Sequence, residues 1–549
     1  VNAMSRGFCC DHSLRYTYLM TIQNLLLASG LLMATSVHAQ TRTQRAEIQW
    51  GDVLVEKTHG NFVRMIDRTP DAMYQLMTTN KDGYHVQRTD LTMNTVYMKP
   101  IELEMGKVEL ALEDIHIVGD KIIVFASIYD KKADEKNLFM KAYTTADMKS
   151  VSMFTKVARI GVESKRNQGA FETKVSPDGS KILIYVEDPF EKKEFDRFAV
   201  KVFSKDLEKL WEDDIEMPYS DQEFLMEEMQ VDNDGSVICV GVKYAAKQEA
   251  RQLKREGQVT YEYHILVYWK DQKKPVDEPL VVKDKFLQDL TLSLGKDGDV
   301  YCAGFYSEKG TWSIRGTFFL RIDRATKTIV RQSFKEFDTD FITAYMTDKE
   351  EQKATKKAER KGESLEMYEY EMRDIIKRED GGAVVVAEQY YMWVETIRTT
   401  NANGSVSTRT VYHYVYNDII VVSIAPSGDI EWNAKVPKRQ HSTNDGGYYS
   451  SYAMALKGGK IYLLFNDNGE NLFLKDGDKV QQFEVTGKDA LVTLATIDED
   501  GITHREALFS PEKRDAKVCP KDCITLEDER MFLYASRKKE YRFGLITFD

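Results

Sequence analysis

A tight turn built on aspartate or glycine recurs eight times along this 549-residue chain, and each turn leads into an apolar run at fixed spacing. The turns are Pro70-Asp71, Gly119-Asp120, Asp178-Gly179, Asp234-Gly235, Asp297-Gly298, Asp380-Gly381, Gly458-Gly459 and Asp528-Glu529. Five residues past Asp71, Asp120, Asp178, Asp234, Asp297, Asp380, Gly459 and Asp528 stand Leu76, Phe125, Leu183, Cys239, Cys302, Val385, Leu464 and Leu533. The next residues are Met77, Ala126, Ile184, Val240, Ala303, Val386, Phe465 and Tyr534, all apolar or aromatic. Asp and Gly favour tight turns. An apolar run without polar alternation is a strand covered on both faces. A repeating turn-plus-buried-strand unit is the pattern of a β-propeller, in which each blade packs only against its neighbours. That architecture also explains how so long a chain avoids needing one large core.

Each unit reads as four strands. In the fifth they are Asp289–Ser293, Val300–Tyr306, Gly316–Ile322 and Thr328–Phe334. Seven complete units cover about 61–103, 109–160, 170–215, 221–282, 287–336, 371–437 and 449–509. The C-terminal segment supplies three strands, Cys523–Leu526, Arg530–Ala535 and Tyr541–Phe548. Ile48–Glu56 is the candidate for the missing fourth, which would close the ring and remove its open edges. The expectation is therefore an all-β propeller of eight four-stranded blades, with seven as the alternative.

The turn Val175-Ser-Pro-Asp-Gly-Ser-Lys-Ile-Leu-Ile-Tyr185 resembles the repeat of the TolB-type and WD40-like propeller superfamily. The other turns are degenerate, and no Trp-Asp dipeptide ends the blades. The chain also resembles exported propeller proteins of Bacteroidetes-type bacteria in its small-x-small/Gln start and in stretches such as Asp380-Gly-Gly and Asn466-Asp-Asn, with Val37 where their first Ala stands. The resemblance implies a fold and a compartment and carries no catalytic residue across.

Residues 20–39 hold an interrupted apolar run behind Arg15 and end in Val37-His38-Ala39. This reads as a secretory signal peptide cleaved before Gln40, placing the protein in the periplasm or at the cell surface. Residues 40–549 are then one propeller domain, with no later segment apolar enough to span a bilayer. The net charge of -12 argues against nucleic acid and anionic membranes as partners. Cys239 and Cys302 read as core residues. Cys519 and Cys523, bent through Pro520 and Asp522, are close enough in sequence to pair as a disulfide in an exported protein.

In an antiparallel meander, the turns after strands one and three open on one pole and the loops after strands two and four on the other. The first group is tight, including Ser204-Lys-Asp, Asp323-Arg-Ala, Pro426-Ser-Gly and Glu499-Asp-Gly. The second group carries the insertions, at 188–196, 244–260, 389–414, 467–488, 337–370 and 437–450. This asymmetry marks the long-loop pole as the functional one. Thr347-Asp-Lys-Glu350 is a capping box opening a charged helix, and Ala245–Glu256 is a second charged helix.

On the long-loop pole the expected binding rim comprises Tyr306, Trp312, Tyr390, Tyr391, Trp393, Arg439, His441, Asn444, Tyr448, Asn466 and Asn468, with Lys438, Asp445 and Tyr449 nearby. Aromatic rings beside amides suit a protein, peptide or glycan ligand. Glu388 and Asp467 lie eight residues past their anchors, at matching positions, and are a candidate glycosidase-like carboxylate pair, which needs about 5–9.5 Å between them, although an acidic propeller offers many such pairs. No serine-hydrolase elbow, dinucleotide fingerprint or His-Glu-x-x-His occurs. Asp232-Asn-Asp234-Gly and Asp498-Glu-Asp500-Gly echo calcium loops but lack the glutamate at position twelve. Turn chemistry accounts for them, and no metal or cofactor is expected. A non-catalytic binding or scaffold module is the leading reading. A carboxylate hydrolase or lyase of glycans or peptides, and a structural subunit of a cell-envelope assembly, are the alternatives.

Overall fold

The computed structural model describes residues 40–549 except 80–82, 163–166, 190–194, 221–222, 257, 269–274, 281–284, 295–298, 308–312, 324–325, 327, 362–364, 366, 379, 401–402, 404–405, 476, 510–515 and 527. The proposed signal segment and Trp312 lie outside the described residues.

The turn-and-strand repeat builds an all-β propeller. Seven antiparallel meanders follow the chain, spanning 61–100, 111–161, 170–220, 224–280, 286–336, 370–436 and 453–509. An eighth sheet joins the two ends of the described chain. Ala46–Trp50 pairs with Glu540–Phe548 in the register Ile48↔Ile546, and Leu54–Val55 pairs with Tyr541 and Glu540. The expected single strand Ile48–Glu56 is thus two strands. They are separated at Gly51, whose N–H still donates to Phe543 O at 2.9 Å. Gln40–Arg42 adds a further strand outside Ala46–Trp50.

Packing follows the repeat. The eight residues five past each anchor are all buried, and Cys239 and Cys302 sit in different inter-sheet cores. Each cluster of buried apolar side chains spans two sheets consecutive in the chain. One further cluster joins Phe532, Tyr534 and Phe543 of the last sheet to Met73 and Met77 of the first. Closure therefore buries an apolar interface as well as a strand edge.

The first strands of neighbouring sheets lie against one another. Their carboxylates link neighbouring sheets. Asp114 accepts from Arg64 (2.7 Å) on one side and Thr173 (2.8 Å) on the other. Asp289 accepts from Met372 N at 2.6 Å, and Asp374 from the Tyr452 hydroxyl at 3.1 Å. β-Bulges interrupt the first strands just before Asp114, Glu228, Asp289 and Asp374, the distortion that re-aims a side chain.

The turn carboxylates are committed to backbone. Asp178 Oδ1 accepts from Ser180 N, Asp232 Oδ1 from Asp234 N and Ser236 N, and Asp498 Oδ1 from Asp500 N and Ile502 N. The last two are the calcium-loop echoes, and their aspartates close turns.

The major insertions follow strands two and four. Lys247–Arg255 is a helix with no buried residue. Asp348–Lys361 is a helix whose capping box forms, with Thr347 N and Oγ1 donating to Glu350 Oε2. Its insertion is anchored by Phe337 and Ile342 in the core between the fifth and sixth sheets. The largest departure from expectation is 389–414. Instead of a loop, the second and third strands of the sixth sheet run on as a hairpin, Ala383–Thr400 and Val406–Ile424. The residues of this stretch, rich in Tyr, Trp, Val and Thr, suit extended backbone.

Candidate functional site

The sixth and seventh sheets bring most of the expected rim together, but in three layers of very different exposure. The deepest is a charged network that reaches no solvent. Lys438 Nζ lies 2.6 Å from Glu388 Oε1, and both side chains are completely buried. Ser451 Oγ donates to Glu388 Oε2 at 2.7 Å. Lys438 also donates to Gln440 Oε1 (3.2 Å), and Gln440 Nε2 donates to Asn466 O (2.8 Å). Asp467 faces Arg505 at 3.6 Å and accepts from Asn471 Nδ2 at 2.7 Å. Burial pushes the Asp467 carboxyl up to about 6 and the Lys438 ammonium down.

This corrects the expected catalytic pair. Glu388 and Asp467 do not flank an open cleft. Each is matched with its own buried cation, beneath the segment 437–452 and the 3₁₀ turn Gly469–Phe473. Asn466 is likewise structural, donating to Tyr449 O and Val518 O, both at 2.8 Å. Asn468 caps the 3₁₀ turn through Glu470 N. Tyr306 is 1% exposed, in the core between the fourth and fifth sheets with the Lys285 ammonium 4.0 Å from its ring centroid. It ends a strand covered on both faces, so it cannot line a ligand site.

The second layer lies at the base of the hairpin. Gln440–Thr443 pairs alongside Val406–Ile424, in the register His441↔Val415. The hairpin's own register, Trp393↔His413, stacks Trp393 on His413, with centroids 4.4 Å apart and planes 4° apart, and the added strand sets His441 5.3 Å from Trp393. His413 Nδ1 lies 3.0 Å from His441 Nε2, within hydrogen-bond distance, and His413 Nε2 lies 3.3 Å from Glu395. Burial, then the neighbouring His413, pushes the His441 pKa down. Tyr391 stacks beside Trp393 at 5.8 Å. Asn444, in a left-handed conformation, clamps the hairpin by exchanging bonds with both Tyr412 N and Tyr412 O. Asp445 closes the adjacent turn on Ser442 Oγ and Gly447 N. Arg439 is exposed, and its carbonyl accepts from Phe483 N. Tyr448 is partly exposed, its hydroxyl near those of Tyr534 and Ser536, while Tyr449 donates to Ser536 O.

The third layer is the hairpin's distal part, Tyr391–Thr400 with Val406–Tyr412. Among the described residues its two strands pair with no third strand beyond His413, and the edge of Val406–Tyr412 is met at Tyr412 by Asn444. Cross-strand partners Met392↔Tyr414, Val394↔Tyr412, Thr396↔Thr410 and Thr400↔Val406 share one face. Met392, Val394, Tyr412 and Val406 are exposed there, Val394 by 50%.

Toward the axis, beside this assembly, a cavity of about 490 Å³ opens between the sixth, seventh and eighth sheets. Arg373, Asp374 and Lys521 reach water in it, against walls that include Tyr416, Ser451 and Tyr452. Tyr390 packs above, its ring tilted 42° against Tyr416 at 4.7 Å with Arg373 5.2 Å from its centroid. Cys519 and Cys523 are free thiols, not a disulfide. The 3₁₀ turn Pro520–Asp522 directs Cys523 Sγ to Cys519 O (3.5 Å), while Cys519 Sγ faces Ser536 Oγ (3.3 Å).

Sequence reasoning missed Tyr412, Tyr416, Arg373 and Lys521. The aromatic and β-branched run around Asn401-Ala-Asn-Gly404 was a usable hairpin signal, and pairing it would have set His413 opposite Trp393. Nothing local marks Arg373 or Lys521. Among the described residues no group of three or more His, Cys, Asp or Glu is arranged to hold a metal. No helix among them is long and apolar enough to cross a membrane.

No family model and no curated protein matches the chain. Among solved structures it is similar to the WD40 domain of SCAP from fission yeast, at 8% identity and a TM-score of 0.39, over 90% of this chain and 98% of that one. It is also similar to prolyl oligopeptidase B from Galerina marginata, at 9% identity and a TM-score of 0.37, over 88% of this chain and 56% of that one. An α-L-arabinanase from Penicillium chrysogenum matches at 10% identity and a TM-score of 0.28, over 66% of this chain and 98% of that one. The propeller assignment rests on the sheets themselves.

Proposed function

We propose that this chain is an exported eight-bladed propeller acting as a non-catalytic binding module, which holds a protein partner on its long-loop pole through the hairpin of the sixth blade. The observation that carries this reading is the distal hairpin itself. A two-stranded ribbon is marginal in water on its own, and this one has two open edges and an exposed face bearing Met392, Val394, Tyr412 and Val406. Open edges accept a further strand, and an apolar β-face accepts a packed one. The buried Glu388–Lys438 and Asp467–Arg505 pairs hold the hairpin's base rigid rather than perform chemistry. Export rests on the segment 20–39.

The test is affinity capture from the source cells with three proteins: the native chain, one in which residues 392–412 are replaced by an Asn-Gly turn, and one altered at the opposite pole in Ser204-Lys-Asp206. The reading expects a discrete partner protein with the first and third and its loss with the second. Identical capture by all three rejects it.

A further inference from the structure

The axial cavity stands apart from the hairpin, and its chemistry is unlike the rest of the molecule. The chain carries 88 acidic against 76 basic residues. Yet the charged side chains lining this cavity are two cations, Arg373 and Lys521, and one carboxylate, Asp374. Asp374 is already engaged by the Tyr452 hydroxyl at 3.1 Å. Lys521 forms no ion pair among the described residues. Its ammonium donates only to neutral oxygens, the Tyr416 hydroxyl at 3.1 Å and Gly446 O at 2.9 Å. Arg373 meets its carboxylates loosely, Glu371 at 3.3 Å and Glu388 Oε2 at 3.6 Å, and that oxygen already accepts from Ser451 Oγ at 2.7 Å while Lys438 holds Oε1 at 2.6 Å. A lysine without an ion pair and a loosely paired arginine therefore share one solvent-open chamber.

The chamber is built rather than incidental. Three first-strand regions form it: Tyr370–Lys377, Ser451–Met454 and the turn Pro520–Asp522 leading into Ile524–Thr525. The bulge between Met372 and Asp374 gives Arg373 its extra, unpaired place in the strand. Lys521 is presented by the 3₁₀ turn and steadied by Tyr416, whose ring centroid lies 4.6 Å from its ammonium. Tyr416, Ser451 and Tyr452 are buried and fixed, so the cations project from rigid walls. A volume of about 490 Å³ lies within the range of small-ligand sites, about 300–1,000 Å³.

We propose that this axial cavity binds a small organic carboxylate, its charged oxygens taken by Lys521 and Arg373 and its body lodged between Tyr416 and Tyr452. A carboxylate completes the ion pairing that Lys521 lacks, and Arg373 can take it through a planar fork. The requirement is the carboxylate on a body of monosaccharide or dipeptide size. A uronic acid and a peptide C-terminus both satisfy it.

Calorimetric titration of the full chain separates the sources and tests the charge. The probes are galacturonate against galactose, and N-acetylalanine against N-acetylalaninamide. At least one acid is expected to bind tenfold or more tighter than its neutral counterpart, in keeping with about 1.5–3 kcal/mol for a hydrogen bond to a charged group. Binding by galacturonate alone identifies the uronic source, and by N-acetylalanine alone the peptide source. Lys521→Met should weaken the binding acid about tenfold or more and Lys521→Arg should largely restore it, with unchanged melting temperatures as the folding control. Equal binding of acid and neutral probe, no binding by either acid, or an unaffected Lys521→Met variant overturns the proposal. If Lys521→Met fails to fold, the acid-to-neutral ratio of the native protein decides alone.

Discussion

Replacing Lys438 by methionine removes one charge from a pair that has no access to water. Lys438 and Glu388 are both completely buried, 2.6 Å apart. At an effective dielectric of about 20, that separation corresponds to roughly 6 kcal/mol of Coulomb attraction. Glu388 keeps two other contacts, the Ser451 hydroxyl at 2.7 Å and Arg373 at 3.6 Å. They recover part of the loss. The net cost of Lys438→Met should therefore be about 3–5 kcal/mol, the range for stranding a buried charge. Methionine preserves most of the side-chain volume, so little of this is a packing effect. Adding Glu388→Gln neutralises the stranded group and should return about 2 kcal/mol or more. Urea unfolding of the two single variants and the double variant closes the cycle. A cost below about 1 kcal/mol for Lys438→Met, or no recovery in the double variant, would refute the view that this pair is a structural clamp.

Three further outcomes follow from the packing and the charges. Gly304→Ala should destabilise by about 1–3 kcal/mol or more in the same assay, because an added Cβ would run into Asp289 O and meet the Phe318 ring at 2.7 Å. Asp467, with its carboxyl raised to about 6, gives stability that is fully present below about pH 4 and lost as pH rises through 6. That loss, about 3 kcal/mol by linkage, should be missing from Asp467→Asn, so native and variant urea midpoints compared from pH 4 to 7 should converge on one trend only if the burial argument is wrong. Removing residues 40–55 should lower the melting temperature sharply and expose the edge of Glu540–Phe548 to exchange, since Ala46, Ile48 and Trp50 are core residues of the closing sheet. An unchanged melting temperature would mean that the eighth sheet does not need its N-terminal strand.

Much of this fold was legible because its signal is local and repeated. The residues five and six past each turn are buried in every repeat, since a strand flanked by sheets on both faces must be apolar throughout. The pairing of the N-terminal segment with Tyr541–Phe548 was legible by subtraction, from a last unit one strand short. What failed was long-range. Glu388 and Asp467 sit where second strands emerge from the core. Whether such a residue meets water depends on what distant segments lay over it, and here Lys438 and Ser451 of the segment 437–452 and Arg505 of the strand Thr503–Phe509 cover them. The hairpin was missed because a strand of 18 residues is far longer than the usual five or six, so its aromatic run was assigned to a loop. The cavity joins Arg373 to Lys521 across nearly 150 residues, and neither carries a motif.

Hydrogen exchange along the hairpin tests the central claim most directly. In the isolated protein, amides on the open edges of Tyr391–Thr400 and Val406–Val411 should exchange quickly, while those of Ala383–Ala387 stay protected in the sheet. In the complex captured from source cells, the same edge amides should slow by at least about tenfold. Equal exchange at the hairpin in both samples, with slowing elsewhere or nowhere, would contradict the assignment of this ribbon as the docking element.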